Sequence, residues 1–167
     1  MIAFVPLDTV PADPVEALLD RAFGPDRHER TAYRVRGQAS PIAALSFAAL
    51  DDGRLVGSIQ CWPVALTADD GRVYPLVMIG PVAVDPARQQ DGIGRALMAQ
   101  ALRAAADTAS DAAMMLIGDP EYYARFFGFS ADRTAGWRLP GPVEPRRLLA
   151  RGAAVPVGPA TLGPIIG

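Results

Sequence analysis

Two glycines, Gly92 and Gly94, mark the part of this sequence whose residue types and spacing best suit a chemical role. The apolar run that ends at Val84 predicts a strand, and the alanine-rich run from Ile93 to Asp107 predicts a helix. A junction of this kind points several backbone N–H groups to one place, and the helix dipole adds a partial positive charge. Glycine lets the backbone approach an anion without interference from a side chain. The junction therefore predicts a pyrophosphate-binding loop.

Other nucleotide-binding motifs do not fit these residues. A dinucleotide-binding motif has a third glycine three residues after the second, and Leu97 stands there. A Walker loop has lysine followed by serine or threonine, whereas all 16 basic residues of this chain are arginine. The lack of lysine also excludes a catalytic Schiff base and acylation of the chain's own lysines.

Composition limits the remaining function classes. The length predicts a single domain, residues 1–167, and the net charge of −2 without a basic run argues against a nucleic-acid partner. No apolar run is long enough to span a membrane and the first residues do not resemble a signal peptide, so we expect a cytoplasmic protein with no membrane partner. One cysteine, Cys61, and one histidine, His28, exclude an internal disulfide and a Cys/His zinc site, so no metal is expected.

Turn signals and periodicity predict the elements that position the loop. The Asp-Gly pairs at residues 52–53 and 70–71 separate three apolar runs that predict antiparallel strands, and these runs are Ile42 to Leu50, Leu55 to Leu66 and Val73 to Val84. A first strand and two helical segments precede them. The helix from Ile93 then leads to a short strand that we expect to lie parallel to the run ending at Val84.

A further helix, which is short, is predicted after that strand. Asp119-Pro120-Glu121 is a typical helix start with Asp119 as the cap, and Gly128 is a typical helix stop. Two more strands are expected, around Trp137 and around Leu148 to Val157. The full order is β-α-α-β-β-β-α-β-α-β-β.

The loop carries a recognisable pattern, Val84-x-Pro86-x-x-Gln89-x-x-Gly92-x-Gly94. It resembles the acyl-CoA signature of the GNAT superfamily of N-acetyltransferases, in which Gln/Arg-x-x-Gly-x-Gly/Ala follows the fourth strand. The segment from Gly118 to Phe129 resembles the fifth strand and fourth helix of that family, and its GDPxYYARF…GF element is similar to a bacterial subgroup. The order of predicted elements matches this fold over roughly residues 1 to 150.

The resemblance implies an α/β (α+β) fold with a mixed, mostly antiparallel central sheet, helices on both faces and a splay between strands four and five. Gly80-Pro81 is the expected bulge at this splay, because proline has no N–H for strand pairing. Within the single domain, residues 152–167 are expected to form an edge strand followed by a frayed tail.

The resemblance also implies how acetyl-CoA, the expected cosubstrate, would bind. The pantetheine arm would lie along the fourth strand against Val82, Ala83 and Val84, and the Val82 N–H would stabilise the oxyanion formed from the thioester carbonyl. The pyrophosphate would lie against the motif glutamine, Gln89, and the backbone N–H groups of Gln90, Gly92, Ile93, Gly94 and Arg95.

The implied reaction is direct acyl transfer from CoA to an amine in a ternary complex. A free alkyl amine has a pKa near ~10.4, so a base, a water chain or desolvation must remove a proton before attack. A tyrosine on the fourth helix commonly gives a proton to the leaving thiolate. Tyr123 is the expected acid and Tyr122 is the alternative, because Tyr123 stands five residues before Gly128 where the family commonly has four.

The expected acceptor is a small-molecule or peptide amine that the sequence does not identify. His28 and Glu29 lie where the family has a substrate-facing segment, although a solvated surface pair is the competing interpretation. A homodimer is among the expectations, because many family members dimerise. The alternative function is a non-catalytic acyl-CoA-binding regulatory domain with the same fold, and transfer of a longer acyl chain is a third.

Overall fold

The structure is a computed structural model, and it describes residues 1–165. Four α-helices are described: α1 (Ala12–Phe23), α2 (Thr31–Arg36), α3 (Ile93–Asp107) and α4 (Pro120–Phe127). The strands are β1 (Ile2–Pro6), β2 (Phe47–Asp51), β3 (Arg54–Ala68), β4 (Val73–Val84), β5 (Met114–Ile117), β6 (Trp137–Arg138), β7 (Leu148–Arg151) and β8 (Ala160–Gly163). A 3₁₀ helix, Pro86–Asp91, connects β4 to α3. None of the helices in this described part is long and apolar enough to cross a membrane.

The strands form one mixed sheet in the order β1-β2-β3-β4-β5-β7, with β8 pairing to β3 and β6. The β1–β2, β2–β3, β5–β7 and β3–β8 pairs are antiparallel, whereas β4–β5 and β6–β8 are parallel. This arrangement confirms the predicted α/β fold class with a mixed, mostly antiparallel sheet. The parallel pairing expected after α3 is present between β4 and β5.

Local signals explain the best-predicted elements. Asp52 and Gly53 both have positive φ, +50° and +82°, as a two-residue hairpin turn of type I′ requires. Asp51 and Arg54 pair directly on either side of that turn. The predicted strand at Ile42 to Leu50 begins later than expected, at Phe47, because Ala43–Leu45 form a 3₁₀ turn.

The chain divides into two compact units. Unit 1 contains residues 1–28, 41–61 and 80–108, and unit 2 contains residues 29–40, 62–79 and the chain from Ala109 onward. β3 and β4 each supply residues to both units. Ile166 and Gly167, the end of the tail predicted at 152–167, lie outside the described residues, and β8 pairs on one side with β3 and on the other with β6.

Each unit has its own hydrophobic core. In unit 1, the buried face of α1 (Val15, Leu18 and Leu19) packs with Leu7, Ala48 and Ala83. The core of unit 2 is formed by buried side chains of α2, of the six strands β3 to β8, and of one further position, Val155: Val35, Trp62, Val64, Leu66, Leu76, Met78, Met115, Trp137, Leu148, Ala150, Val155, Ala160 and Leu162.

A glycine on β3 controls how closely α3 approaches the sheet in unit 1. A Cβ atom at Gly57 would lie 2.8 Å from Ile93 Cγ2, 3.0 Å from Leu97 Cδ1 and 3.2 Å from the backbone oxygen of Ala83. Ile93 and Leu97 are both buried on the first turns of α3. Because the hydrogen of glycine replaces a methyl group here, the start of α3 lies directly against β3 and β4.

We predict that Gly57→Ala destabilises the protein by about 1–3 kcal/mol, because an overpacked core shifts side chains and backbone. The measurement is the free energy of unfolding in urea. Gly163→Ala is the matched control, since a Cβ there meets nothing within 4 Å. Equal stability of the two variants would show that α3 does not approach β3 as closely as described.

Candidate functional site

The segment after β4 is fixed at its start by Asp85. The Asp85 N–H donates to the Val56 carbonyl oxygen of β3 at 2.9 Å. The Asp85 carboxylate accepts from the Ala87 N–H at 3.0 Å and so caps the 3₁₀ helix Pro86–Asp91. The loop therefore leaves the sheet in a defined direction.

Gly92 forms the turn from this 3₁₀ helix into α3. Its backbone is left-handed, with φ +75° and ψ 14°, which favours glycine over any residue with a Cβ. No side chain caps α3 at this N-terminus. The N–H groups of Gly92, Ile93 and Gly94 precede the first bond of the helix ladder, from Ala96 N–H to Gly92 O at 3.1 Å. An uncapped helix start of this kind can bind an anion.

Gly94 has a different role from Gly92. A Cβ atom at Gly94 would lie 3.4 Å from Val84 Cγ2 and 3.7 Å from Val82 Cγ1, which are ordinary van der Waals distances. The fold of unit 1 therefore does not need glycine at this position. A requirement for glycine would arise from something outside the protein that approaches the first turn of α3.

The predicted binding residues of the loop and strand lie in unit 1. Gln89, Gln90 and Arg95 are exposed, and Ile93 is buried beneath the loop. Along β4, Ala83 is fully buried while Val82 and Val84 are half-buried. The structure thus brings these predicted residues together on one strand–loop–helix segment, and it places Tyr123 in unit 2.

The Gly80-Pro81 peptide bond on β4 is cis, and Gly80 has φ +119°. The parallel register between β4 and β5 joins Val77 to Met114 and Met78 to Met115. β4 then continues through Gly80-Pro81 to Val84. Val82 supplies the first backbone N–H of β4 after Pro81, because proline has none.

A cluster of ion pairs holds the loop, and the sequence analysis did not identify it. Arg88 donates through Nε to Asp91 Oδ2 at 2.5 Å and through NH1 to Asp51 Oδ2 at 2.8 Å. These two hydrogen bonds, that to Asp91 first, raise the pKa of Arg88. Asp51 also accepts from the Met1 amine at 3.0 Å. The spacing of Arg88 and Asp91 is a local signal, but Asp51 is distant in sequence and reaches Arg88 only through the fold.

Tyr123 lies on α4 with its ring against Gly118. A Cβ atom at Gly118 would lie 2.4 Å from Tyr123 Cε2, so only glycine leaves room for this ring. Burial, together with the negative charge of neighbouring groups, raises the pKa of Tyr123 to about 12, and Arg147 opposes part of this shift. The hydroxyl therefore stays protonated at neutral pH, as a hydrogen-bond donor must.

The helix that carries Tyr123 is regular to its end. Gly128 has φ +74°, and its N–H donates to the Ala124 oxygen at 3.2 Å while the Phe129 N–H donates to the Tyr123 oxygen at 3.3 Å. The first is an ordinary helical bond, whereas the second spans six residues, one more than the outer bond of a Schellman motif, and Phe129 is buried behind this cap. The turn at the C-terminal end of α4 thus encloses one extra residue.

Tyr122 belongs to an aromatic group on the same helix. Its ring is perpendicular to that of Tyr123, with centroids 4.9 Å apart, and lies 5.4 Å from Phe126 and 5.7 Å from Phe127. These contacts account for Tyr122 as a packing residue. They leave the choice between the two tyrosines to experiment.

Ion pairs connect the start of α4 to the segment before β7. Asp119 occupies the cap position as expected, but its carboxylate makes no capping bond. It accepts instead from Arg147 Nε at 3.2 Å, and Glu121 pairs with Arg146. Arg146 and Arg147 therefore pair with the first turn of α4.

The cysteine, the His28–Glu29 pair and the two tryptophans differ in their exposure to solvent. Cys61 is buried, and burial raises the pKa of its thiol to about 12, so it is not a ready nucleophile. His28 and Glu29 are exposed, whereas Trp62 and Trp137 are buried. Among residues 1–165, no group of three or more His, Cys, Asp or Glu side chains is arranged to hold a metal ion.

The family model and a known relative of this chain agree on one family. Residues 11–131 match the model of the acetyltransferase (GNAT) domain. The uncharacterised N-acetyltransferase YhbS of Escherichia coli K12 is 30% identical over 142 residues, which are 82% of this chain and 78% of that protein.

Two solved structures have a similar fold. The GNAT family N-acetyltransferase YhbS from Escherichia coli, in complex with CoA, gives a TM-score of 0.70 at 24% identity and covers 97% of this chain and 88% of its own. A GNAT family acetyltransferase from Brucella melitensis, in complex with acetyl-CoA, gives a TM-score of 0.58 at 27% identity, with coverage of 92% and 97%.

We predict that Tyr123 ionises at a higher pH than a free tyrosine, because burial disfavours its charged form. The absorbance of tyrosinate is followed from pH 8 upward in the wild type and in Tyr123→Phe. The step that the variant lacks should be centred at about pH 12, above the reference value near ~10. If the step that the variant lacks were centred at about pH 10 instead, the burial of the Tyr123 side chain would be contradicted.

Proposed function

The chain belongs to the GNAT acetyltransferase family and is an acyltransferase, and on that premise we propose that it transfers the acetyl group of acetyl-CoA to an amine of its acceptor by direct attack in a ternary complex. The observation that carries this proposal is the uncapped start of α3 behind the left-handed Gly92. A diphosphate needs several convergent N–H donors, and this junction supplies them without a lysine.

The loop and one relative both support acetyl-CoA as the acyl donor. We propose that the diphosphate accepts hydrogen bonds from backbone N–H groups of the segment 90–95, next to Gln89. The Brucella melitensis acetyltransferase, 27% identical, was crystallised with acetyl-CoA, which supports the same cosubstrate here. The open space around Gly92, where a Cβ would meet nothing within 4 Å, fits an approaching anion.

β4 supplies the proposed contacts to the rest of acetyl-CoA. Main-chain groups of Val82, Ala83 and Val84 would bind the pantetheine arm as an added strand would. The Val82 N–H would donate to the thioester oxygen as negative charge develops on it. Val82 is the first donor on this part of the strand, because Pro81 has no N–H.

The proposed reaction forms a C–N bond and breaks a C–S bond. The amine attacks as the free base, its nitrogen bonds to the acetyl carbonyl carbon, and it loses a proton to a base, a water chain or solvent. A thiol has a reference pKa of about 8.5, below the value of about 12 for Tyr123. Complete proton transfer from Tyr123 to the thiolate is therefore uphill, so we propose that Tyr123 donates a hydrogen bond to the developing thiolate and that the proton lost by the amine completes the balance.

We predict that acetyl-CoA and CoA raise the unfolding temperature of the protein, whereas NADH and ATP do not. A ligand at about a hundred times its Kd adds roughly 2.7 kcal/mol to the free energy of unfolding, which is easily detected. The measurement is a thermal scan with each ligand in parallel. Stabilisation by NADH or ATP without stabilisation by acetyl-CoA would refute the assignment of the loop.

We also predict that Tyr123→Phe lowers kcat about a hundredfold and leaves the Kd of acetyl-CoA nearly unchanged, since the hydroxyl acts only as the thiolate forms. Thiol release with a panel of amines gives kcat, and calorimetry gives Kd. Tyr122→Phe tests the alternative acid, and Tyr74→Phe on β4 is the control that should match the wild type. Loss of kcat in Tyr122→Phe alone would assign the role to Tyr122, and acylation of no amine by the wild type would favour a binding domain.

A further inference from the structure

Arg88 occupies an unusual position in the diphosphate-binding loop proposed above. It lies in the 3₁₀ helix before Gly92, and its own backbone departs from helical geometry, with φ −124° and ψ 16°. Its guanidinium bridges two carboxylates, Asp91 within the loop and Asp51 at the end of β2. Its side chain is 30% exposed, that of Asp51 is 25% exposed and that of Asp91 is 48% exposed.

The carboxylate of Asp91 poses an electrostatic problem for this loop. Asp91 directly precedes Gly92, so its negative charge lies within the segment that we propose for a diphosphate. Like charges repel, and the repulsion is strongest where solvent screening is incomplete. The chain has no lysine to offset it. A bare carboxylate at this position would weaken the binding of any phosphate ligand.

Arg88 resolves this conflict through its geometry. Its Nε donates to Asp91 and its NH1 donates to Asp51, so the arginine is held against β2 and holds the Asp91 carboxylate with it. Planar, forked donors make arginine suited to bridging two carboxylates. An arginine engaged in this way acts on a phosphate through Asp91 rather than as a direct ligand.

We propose that Arg88 is a positioning residue that neutralises and anchors the Asp91 carboxylate, by way of Asp51, so that the loop accepts the diphosphate of acetyl-CoA. The inference rests on the proposed function, because it assigns a regulator of affinity to the same loop. It accounts for an acidic residue in a phosphate site, and it makes the affinity depend on a contact between residues 51 and 88.

The test is a double-mutant cycle on the full chain, with CoA as the probe and Kd measured by calorimetry at low ionic strength. Arg88→Gln removes the neutralising charge and should raise Kd about tenfold. Asp91→Asn removes the charge that needs neutralising, so it should leave Kd equal or lower. The combination of Arg88→Gln with Asp91→Asn should return Kd to within about threefold of the wild type. The loss in Arg88→Gln should shrink in high salt.

The cycle separates this role from the two competing ones. If Arg88 bound phosphate directly or only held the loop together, the double variant would stay as weak as Arg88→Gln, and the proposal would be overturned. An unchanged Kd in Arg88→Gln, or a higher Kd in Asp91→Asn, would also overturn the proposal. Arg103→Gln removes the same charge from α3 at a side chain that bonds only weakly to Gln100, at 3.4 Å, and it should bind as the wild type does.

Failure of the inference and failure of the proposed function give different results. If the wild type binds no CoA, the loop is assigned to the wrong ligand and the proposed function falls. If the wild type binds CoA and the Arg88 variants show none of the expected pattern, the proposed function stands and only the role of Arg88 falls. Thermal scans without ligand confirm that each variant is folded.

Discussion

The close contact between α3 and β3 is the constraint on which the rest of the loop depends. An anion can bind at a helix N-terminus only if several N–H groups converge, and their positions are set by where the helix begins relative to the strand that precedes it. Gly57 lets Ile93 and Leu97 pack directly on the sheet, and Asp85 joins the end of β4 to β3 through Val56. The chemistry of the loop thus depends on packing beneath it.

Burial has two effects at Tyr123. The ring lies against Gly118, and the burial of the side chain keeps the proton on its oxygen. A donor of this kind can stabilise negative charge as it forms but holds its own proton tightly. Asp119 and Arg147 pair with each other at the start of α4, and the same two residues also act on the pKa of Tyr123, which Asp119 raises and Arg147 lowers.

Local signals in the sequence were sufficient for the elements around the loop. Alanine-rich periodicity placed α3 at its observed bounds, the Asp-Gly pair located the β2–β3 hairpin, and Gly128 ended α4. The features that were missed depend on pairs far apart in the chain, such as Asp51 with Arg88 and Gly57 with Ile93. Such pairs leave no period in the sequence. The strand in residues 152–167 was expected at an edge and without bounds, because the short run of β8 lies among glycines and prolines that favour turns, whereas β8 pairs with both β3 and β6.

The division into two interleaved units has a consequence for how this chain evolves. Each unit is built from three separate stretches, and β3 and β4 run through both. Neither unit corresponds to one continuous stretch of gene, so recombination cannot exchange one of them between relatives as a cassette. An exchange of a complete unit would therefore need breakpoints inside both β3 and β4.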